Sequence, residues 1–173
     1  DDTTLSSVEV YAPATQTWRE AAALPLPLHH ANAAAVGDGA DARVVVAGFL
    51  LGADFREDGR VFVSDRDLTS WREGASMPAG TARGASAACG DDSGVVYVFG
   101  GLNAGSTNAA SRYDVDGDVW EALAPLPRAL DHLNCAVVDG LVYVVAGREN
   151  GLRNHSGALL AFDPTTSTYT EQA

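Results

Sequence analysis

Apolar and polar residues alternate in short bursts along this chain, with no sustained helical period. The clearest burst is Leu141-Val142-Tyr143-Val144-Val145-Ala146-Gly147. It returns as Val95-Val96-Tyr97-Val98-Phe99-Gly100-Gly101 and, more weakly, as Arg43-Val44-Val45-Val46-Ala47-Gly48. Runs of this length, rich in Val and Tyr, predict strands buried on both faces, and the closing glycine permits the backbone to turn. Three spaced copies predict a repeat architecture.

Aromatic residues set the register of that repeat. Trp18, Trp71, Trp120 and Tyr169 lie 53, 49 and 49 residues apart. Seven residues before each stand Tyr11, Ser64, Tyr113 and Phe162, and seven after each tryptophan stand Pro25, Pro78 and Pro127. From proline to the strand-ending glycine is 23, 23 and 20 residues. Each unit reads as four strands. The inner strand is small and apolar: His30 to Val36, Arg83 to Cys89, His132 to Val138. The glycine-ended strand follows. A third strand covers Ser7 to Tyr11, Arg60 to Ser64, Ala110 to Asp114 and Ala158 to Phe162, and an outer strand begins near each Trp. Asp139-Gly140 and Asp116-Gly117 predict tight hairpin turns, and the Pro13 and Pro164 segments turn the outer copies.

Composition narrows the picture. The chain has 173 residues, 46% of them hydrophobic, and a net charge of -12 with 11 arginines and no lysine. No run reaches transmembrane length. The acidic balance excludes nucleic acid and anionic membranes as partners, and membrane insertion is not expected. Chain start Asp1 and the missing initiator Met suggest a processed form or a fragment. The compartment stays open between extracellular and cytoplasmic.

The glycine pair Gly100-Gly101, Tyr113-Asp114, Trp120 seven residues on, and Leu126-Pro127 together resemble the kelch repeat. The departures are Ala47 and Ala146 for the first glycine, Ser64 for the Tyr, and Tyr169 for the last Trp. The stretch Leu126-Pro127 through Asn134, then Gly147 to Gly151, is similar to kelch proteins of filamentous fungi. The resemblance implies an all-β, kelch-type β-propeller of four-stranded blades. Counted that way, residues 1-24 supply the last two strands of one blade, and 25-77, 78-126 and 127-173 supply three more blades. Three and a half blades fall short of a closed ring and imply a fragment of a six-bladed propeller. The remaining blades would come from the same chain or an oligomer.

Strand order places the long polar connections Phe49 to Gly59, Leu102 to Asn108 and Arg148 to Gly157 on one face. Function in such folds sits on loops of this kind. Counting five residues from each repeat proline gives His30, Arg83 and His132, and two further on Asn32, Ala85 and Asn134. His30, Asn32, Arg83, His132 and Asn134, with Arg148 and Arg153 from the richest loop, are the candidate ligand-binding residues. Water-filled channel lining is the alternative role for the inner ring. Phe49, Leu50, Leu51 and Phe55 read as an exposed apolar cluster or as packing over the channel mouth. The tryptophans read as buried blade packing. Cys89 and Cys135 count as three positions out of register, about 10 Å along a strand. That exceeds disulfide reach, so both are expected free, as small fillers.

The resemblance favours a binding or interaction module, with a protein partner or a small polar or carbohydrate ligand. Neither a cofactor, a metal nor a catalytic motif is called for. Related propellers include a copper radical oxidase acting on galactose and a sialic acid mutarotase, so a carbohydrate-active enzyme is the alternative. Structural support for a function in other blades or a fused domain is a further one.

Overall fold

The computed structural model describes residues 4–172. Its strands are β1 (Glu9–Ala12), β2 (Thr17–Glu20), β3 (Asn32–Val36), β4 (Arg43–Ala47), β5 (Phe49–Leu51), β6 (Arg56–Asp58), β7 (Val61–Ser64) and β8 (Trp71–Gly74). They continue as β9 (Ala87–Gly90), β10 (Val95–Phe99), β11 (Ala110–Asp114), β12 (Val119–Ala122), β13 (Asn134–Val138), β14 (Leu141–Val145), β15 (Leu159–Asp163) and β16 (Thr168–Glu171). Three antiparallel four-stranded sheets form, β3-β4-β7-β8, β9-β10-β11-β12 and β13-β14-β15-β16, and β1-β2 pair as a hairpin. Within each, chain order is sheet order from the inner to the outer strand. The inner strands β3, β9 and β13 lie side by side.

The seven-residue spacing has a direct structural meaning. Tyr11 faces Trp18, Ser64 faces Trp71, Tyr113 faces Trp120, and Phe162 faces Tyr169 across the outer hairpins. Three of these pairs are tilted aromatic contacts at 4.8 to 5.0 Å between ring centres. Ser64 has no ring, and its hydroxyl instead accepts the Val44 N–H at 2.9 Å.

The outer aromatic also ties each sheet to the one before it. Trp71 Nε1–H donates to the Ala22 carbonyl at 2.8 Å, Trp120 Nε1–H to Ala75 at 2.7 Å, and the Tyr169 hydroxyl to Ala124 at 2.8 Å. Those carbonyls lie four residues past Trp18, Trp71 and Trp120, so the tie repeats with the fold. Trp18 has no such acceptor among the described residues and is 67% exposed. Trp71 and Trp120 are half-buried. The expected uniform burial of the tryptophans is therefore corrected: burial follows the presence of a preceding sheet.

Cores fill the gaps between sheets. Val45, Val61 and Val63 pack against Val96, Val98, Tyr113 and Val115. Phe99, Ala87 and Tyr97 pack against Leu126, Leu130, Val142, Val144, Leu160 and Phe162. β7 and β10 are buried on both faces, as their apolar runs require, whereas on β14 Val142 and Val144 are buried but Val145 is exposed, correcting the expected two-sided burial of that run.

The connection after β4 is more ordered than a loop. β5 and β6 pair as a hairpin, and Phe49, Leu50 and Leu51 are buried beside Leu28, Val46 and Phe62. Of the four residues read as an exposed cluster, only Phe55 is exposed. Packing wins because this sheet's open flank offers apolar surface to cover.

Cys89 and Cys135 form a disulfide, with Cα atoms 5.7 Å apart. This overturns the expectation of free thiols. The error lies in counting from proline. Hydrogen bonding aligns Asn32 opposite Ala47, Ala87 opposite Phe99, and Asn134 opposite Val145. Ala87 is nine residues past Pro78, whereas Asn32 and Asn134 are seven past theirs. Two extra residues in the 78–86 crossover shift the count. Cys89 and Cys135 are then one position out of register, within disulfide reach.

Candidate functional site

The same shift rebuilds the inner ring. Its equivalent positions are His30, Ala85 and His132, all left-handed, with φ of 49°, 49° and 52°. Each inner strand starts two residues after this left-handed residue, at Asn32, Ala87 and Asn134. The left-handed turn also aims backbone groups sideways. The Ala85 N–H donates to the His30 carbonyl at 3.0 Å, and the His132 N–H to the Ala85 carbonyl at 2.7 Å. A short chain of backbone hydrogen bonds thus runs across three sheets. Left-handed non-glycine backbone is strained and persists where surroundings hold it.

Ala85 presents no side chain that could separate its neighbours. The rings of His30 and His132, from sheets separated by a whole sheet, meet edge to face at 5.2 Å. His30 also packs edge to face on Phe55, at 5.5 Å, and on His29, at 4.9 Å. The long-connection face and the inner-strand starts therefore form one surface.

Proton positions follow from the partners. His29 Nε2 lies 2.8 Å from the Gly52 carbonyl, an acceptor, so Nε2 carries the hydrogen. In neutral His29, Nδ1 is then a lone pair, and His30 Nδ1–H donates to it across 2.6 Å. His30 Nε2 remains as an acceptor. Burial, then His29, His132 and Arg148, hold the His30 pKa below its ordinary 6.5. At neutral pH this histidine is an uncharged acceptor, not the cationic donor that a His/Arg ring implies.

Asp131 anchors the other half. It is 2% exposed and receives Arg148 Nε–H at 2.9 Å and the Ser106 hydroxyl. Burial works to raise its pKa, but the bonds from Ser106, His132 and Arg148 outweigh that and hold it below the ordinary carboxylate value. His132 Nδ1 lies 2.6 Å from Asp131 Oδ1 and 2.6 Å from an Arg148 Nη. One ring nitrogen cannot donate to Asp131 while accepting from Arg148. His132 therefore has two mutually exclusive hydrogen-bonded states. Sequence reasoning did not single out Asp131 or Ser106. Asp131 sits beside His132 in the repeat, but its bonds to Ser106 and Arg148, 25 and 17 residues away, carry no sequence signal.

The candidate residues divide. His30, Asn32 and His132 line one shallow depression of about 230 Å³ with Ala85 and Ser86. Arg148 joins it through His132. Asn134 is exposed, its Oδ1 accepting the adjacent Cys135 N–H at 3.2 Å. Arg153 is exposed at the loop tip. Arg83 leaves the ring entirely. It occupies the position that Leu28 and Leu130 fill in the other sheets and is 1% exposed. Its guanidinium bonds the Thr81 and Val98 carbonyls and the Ser111 hydroxyl at 2.7 to 3.0 Å. The expectation that Arg83 lines the channel is corrected by the same two-residue insertion.

An all-β array of antiparallel four-stranded sheets, joined side by side at their inner strands and bearing its long connections on one face, defines a kelch-type β-propeller. The comparisons agree. Residues 83–127 match the Kelch motif model. Kelch-like protein terF of Aspergillus terreus is 29% identical over 177 residues, covering 96% of this chain and 38% of that protein. Kelch-like protein 35 of Mus musculus is 32% identical, covering 94% of this chain and 26% of that protein. The solved structure of YjhT superposes with a TM-score of 0.70 at 14% identity, covering 97% of this chain and 52% of that one. The chain belongs to the kelch-repeat family, and it spans well under half the length of these two curated relatives.

Proposed function

We propose that this chain is an interaction module that binds a protein partner on the face carrying the long connections and inner-strand starts. The observation that carries this reading is the meeting of three sheets at one mixed surface. His30 Nε2 offers an acceptor, Arg148 offers donors, His132 offers a donor or an acceptor according to its tautomer, and Phe55 and Leu152 stand 53% and 78% exposed beside them. Exposed apolar residues among oriented donors and acceptors suit a protein interface. The charge of Arg148 is already answered by Asp131, so the face is suited to hydrogen-bonded recognition more than to simple anion capture. The relatives named as kelch-like proteins are consistent with a binding role.

The test is site-specific photo-crosslinking. A photoreactive residue at Leu152 reports on this face, and one at Asp116, on the opposite turn, serves as the control. The reading predicts one discrete adduct from position 152 in extract, none from 116, and its loss in Arg148→Ala. Equal adducts from both positions, or an adduct insensitive to Arg148→Ala, would reject it.

A further inference from the structure

Arg83 poses a problem that the interaction face does not solve. In the two neighbouring sheets its position holds leucine, and both leucines are buried. Here a cation takes that place. Three neutral acceptors engage its terminal nitrogens, but Nε–H has none. Among the described residues no carboxylate pairs with it. Glu121, the nearest acid on the same cavity, is held by Arg112 at 2.6 Å and 2.9 Å. A buried charge without a counter-ion is costly. Burial lowers the Arg83 pKa to about 10, which still leaves the side chain charged at neutral pH.

The side chain borders a cavity of about 210 Å³ beneath the 78–83 crossover. Pro78, Trp120, Leu123 and Pro125 make its walls, and Ser111 sits beside Arg83. The arrangement is a largely apolar chamber whose lining holds one cation, Arg83, and one acid, Glu121, whose charge is answered by Arg112. Its volume lies below that of sites for drug-sized molecules, so an occupant must be small.

We propose that this cavity binds a small monocarboxylic acid with an apolar body. The carboxylate supplies the counter-charge, and its bond to Nε, which has no accessible surface in this structure, forms as the 78–83 crossover shifts to admit it, giving the charge-assisted hydrogen bond that a guanidinium makes. The body rests against Trp120 and the prolines. This site is separate from the His30, His132 and Arg148 surface.

Titration of the whole chain with phenylacetate, followed by the Arg83 Nε–H resonance, tests it. The expected result is a saturable downfield shift with roughly millimolar affinity. Phenylacetamide, which lacks the charge, and acetate, which lacks the body, should each bind about tenfold or more weakly, a difference of about 1.4 kcal/mol. Arg83→Leu restores the residue type of the neighbouring sheets and should fold, yet lose binding seen by the Trp120 indole resonance. Leu123→Trp keeps Arg83 and fills the chamber, and should lose binding too, which covers the case that Arg83→Leu does not fold. No shift in the parent chain, phenylacetamide binding as well as phenylacetate, or unchanged affinity in either variant would overturn the proposal.

Discussion

Gly90 ends β9 against the backbone of the preceding sheet. A Cβ built there would lie 2.1 Å from the Ala35 carbonyl oxygen and 2.4 Å from Val36 Cγ1. Only a residue without a side chain lets the two inner strands approach so closely. Gly90→Ala should lower stability by about 1–3 kcal/mol, the range for overpacking. Urea unfolding should show an earlier midpoint with an unchanged slope; an unchanged midpoint would mean that the strands do not pack this way. At His30 the effect is on pH dependence. Its pKa is depressed in the fold and ordinary, near 6.5, in the unfolded chain. The unfolded state therefore takes the proton first. This contribution to stability is flat above about pH 6.5 and is lost as pH falls through 6.5 toward the folded value. His30→Gln should flatten the fall in urea midpoint between about pH 7.5 and 5. A parent whose stability rises on acidification there, with the rise lost in His30→Gln, would contradict the assignment.

The tryptophans show how one residue type serves differently along a repeat. Trp120 docks its indole on Ala75, whereas Trp18 faces solvent. Trp120→Phe removes a hydrogen bond and leaves the carbonyl short of a partner, costing about 1 kcal/mol. Trp18→Phe should stay within about 0.5 kcal/mol, as an exposed substitution does. Equal losses in chemical unfolding would show that the tie is not what holds the sheets together. The disulfide links inner strands 46 residues apart in sequence. Closing a loop of that length stabilises by about 4 kcal/mol in the chain-entropy account, so reduction should bring the unfolding midpoint down sharply. The strands, their order and the aromatic pairs were legible in sequence because each repeats with the fold. The two-residue insertion in the 78–86 crossover was not. It falls between two landmarks, and hydrogen-bond register alone reveals it. That one shift hid the disulfide and moved Arg83 from the channel into the core. The β5-β6 hairpin was missed because its turn, Gly52 to Phe55, carries neither the Asp-Gly dipeptide nor the proline from which the other turns were read.

Sheets in this arrangement complete one another's packing. At one end Leu5, Tyr11 and Trp18 are 64%, 43% and 67% exposed, and on the last inner hairpin Val138 and Val145 are 50% and 42% exposed. Apolar surface of this kind, on a quasi-linear array, seeks a neighbour. The 173-residue chain is therefore expected to self-associate when prepared alone. Light scattering should give a mass above 17.9 kDa that falls on dilution, and a strict monomer at all concentrations would contradict this.

The proposed binding face depends on one spatial relation, the meeting of His30 and His132 across an intervening sheet. Counting from the prolines instead sets Arg83 between them. Nuclear Overhauser spectroscopy on selectively labelled histidines separates the two arrangements. The structure predicts a direct ring-to-ring contact between His30 and His132, at 5.2 Å between centres, with the Arg83 Nε–H protected from solvent exchange. Absence of that contact, together with a freely exchanging Arg83 guanidinium, would contradict the register and with it the face.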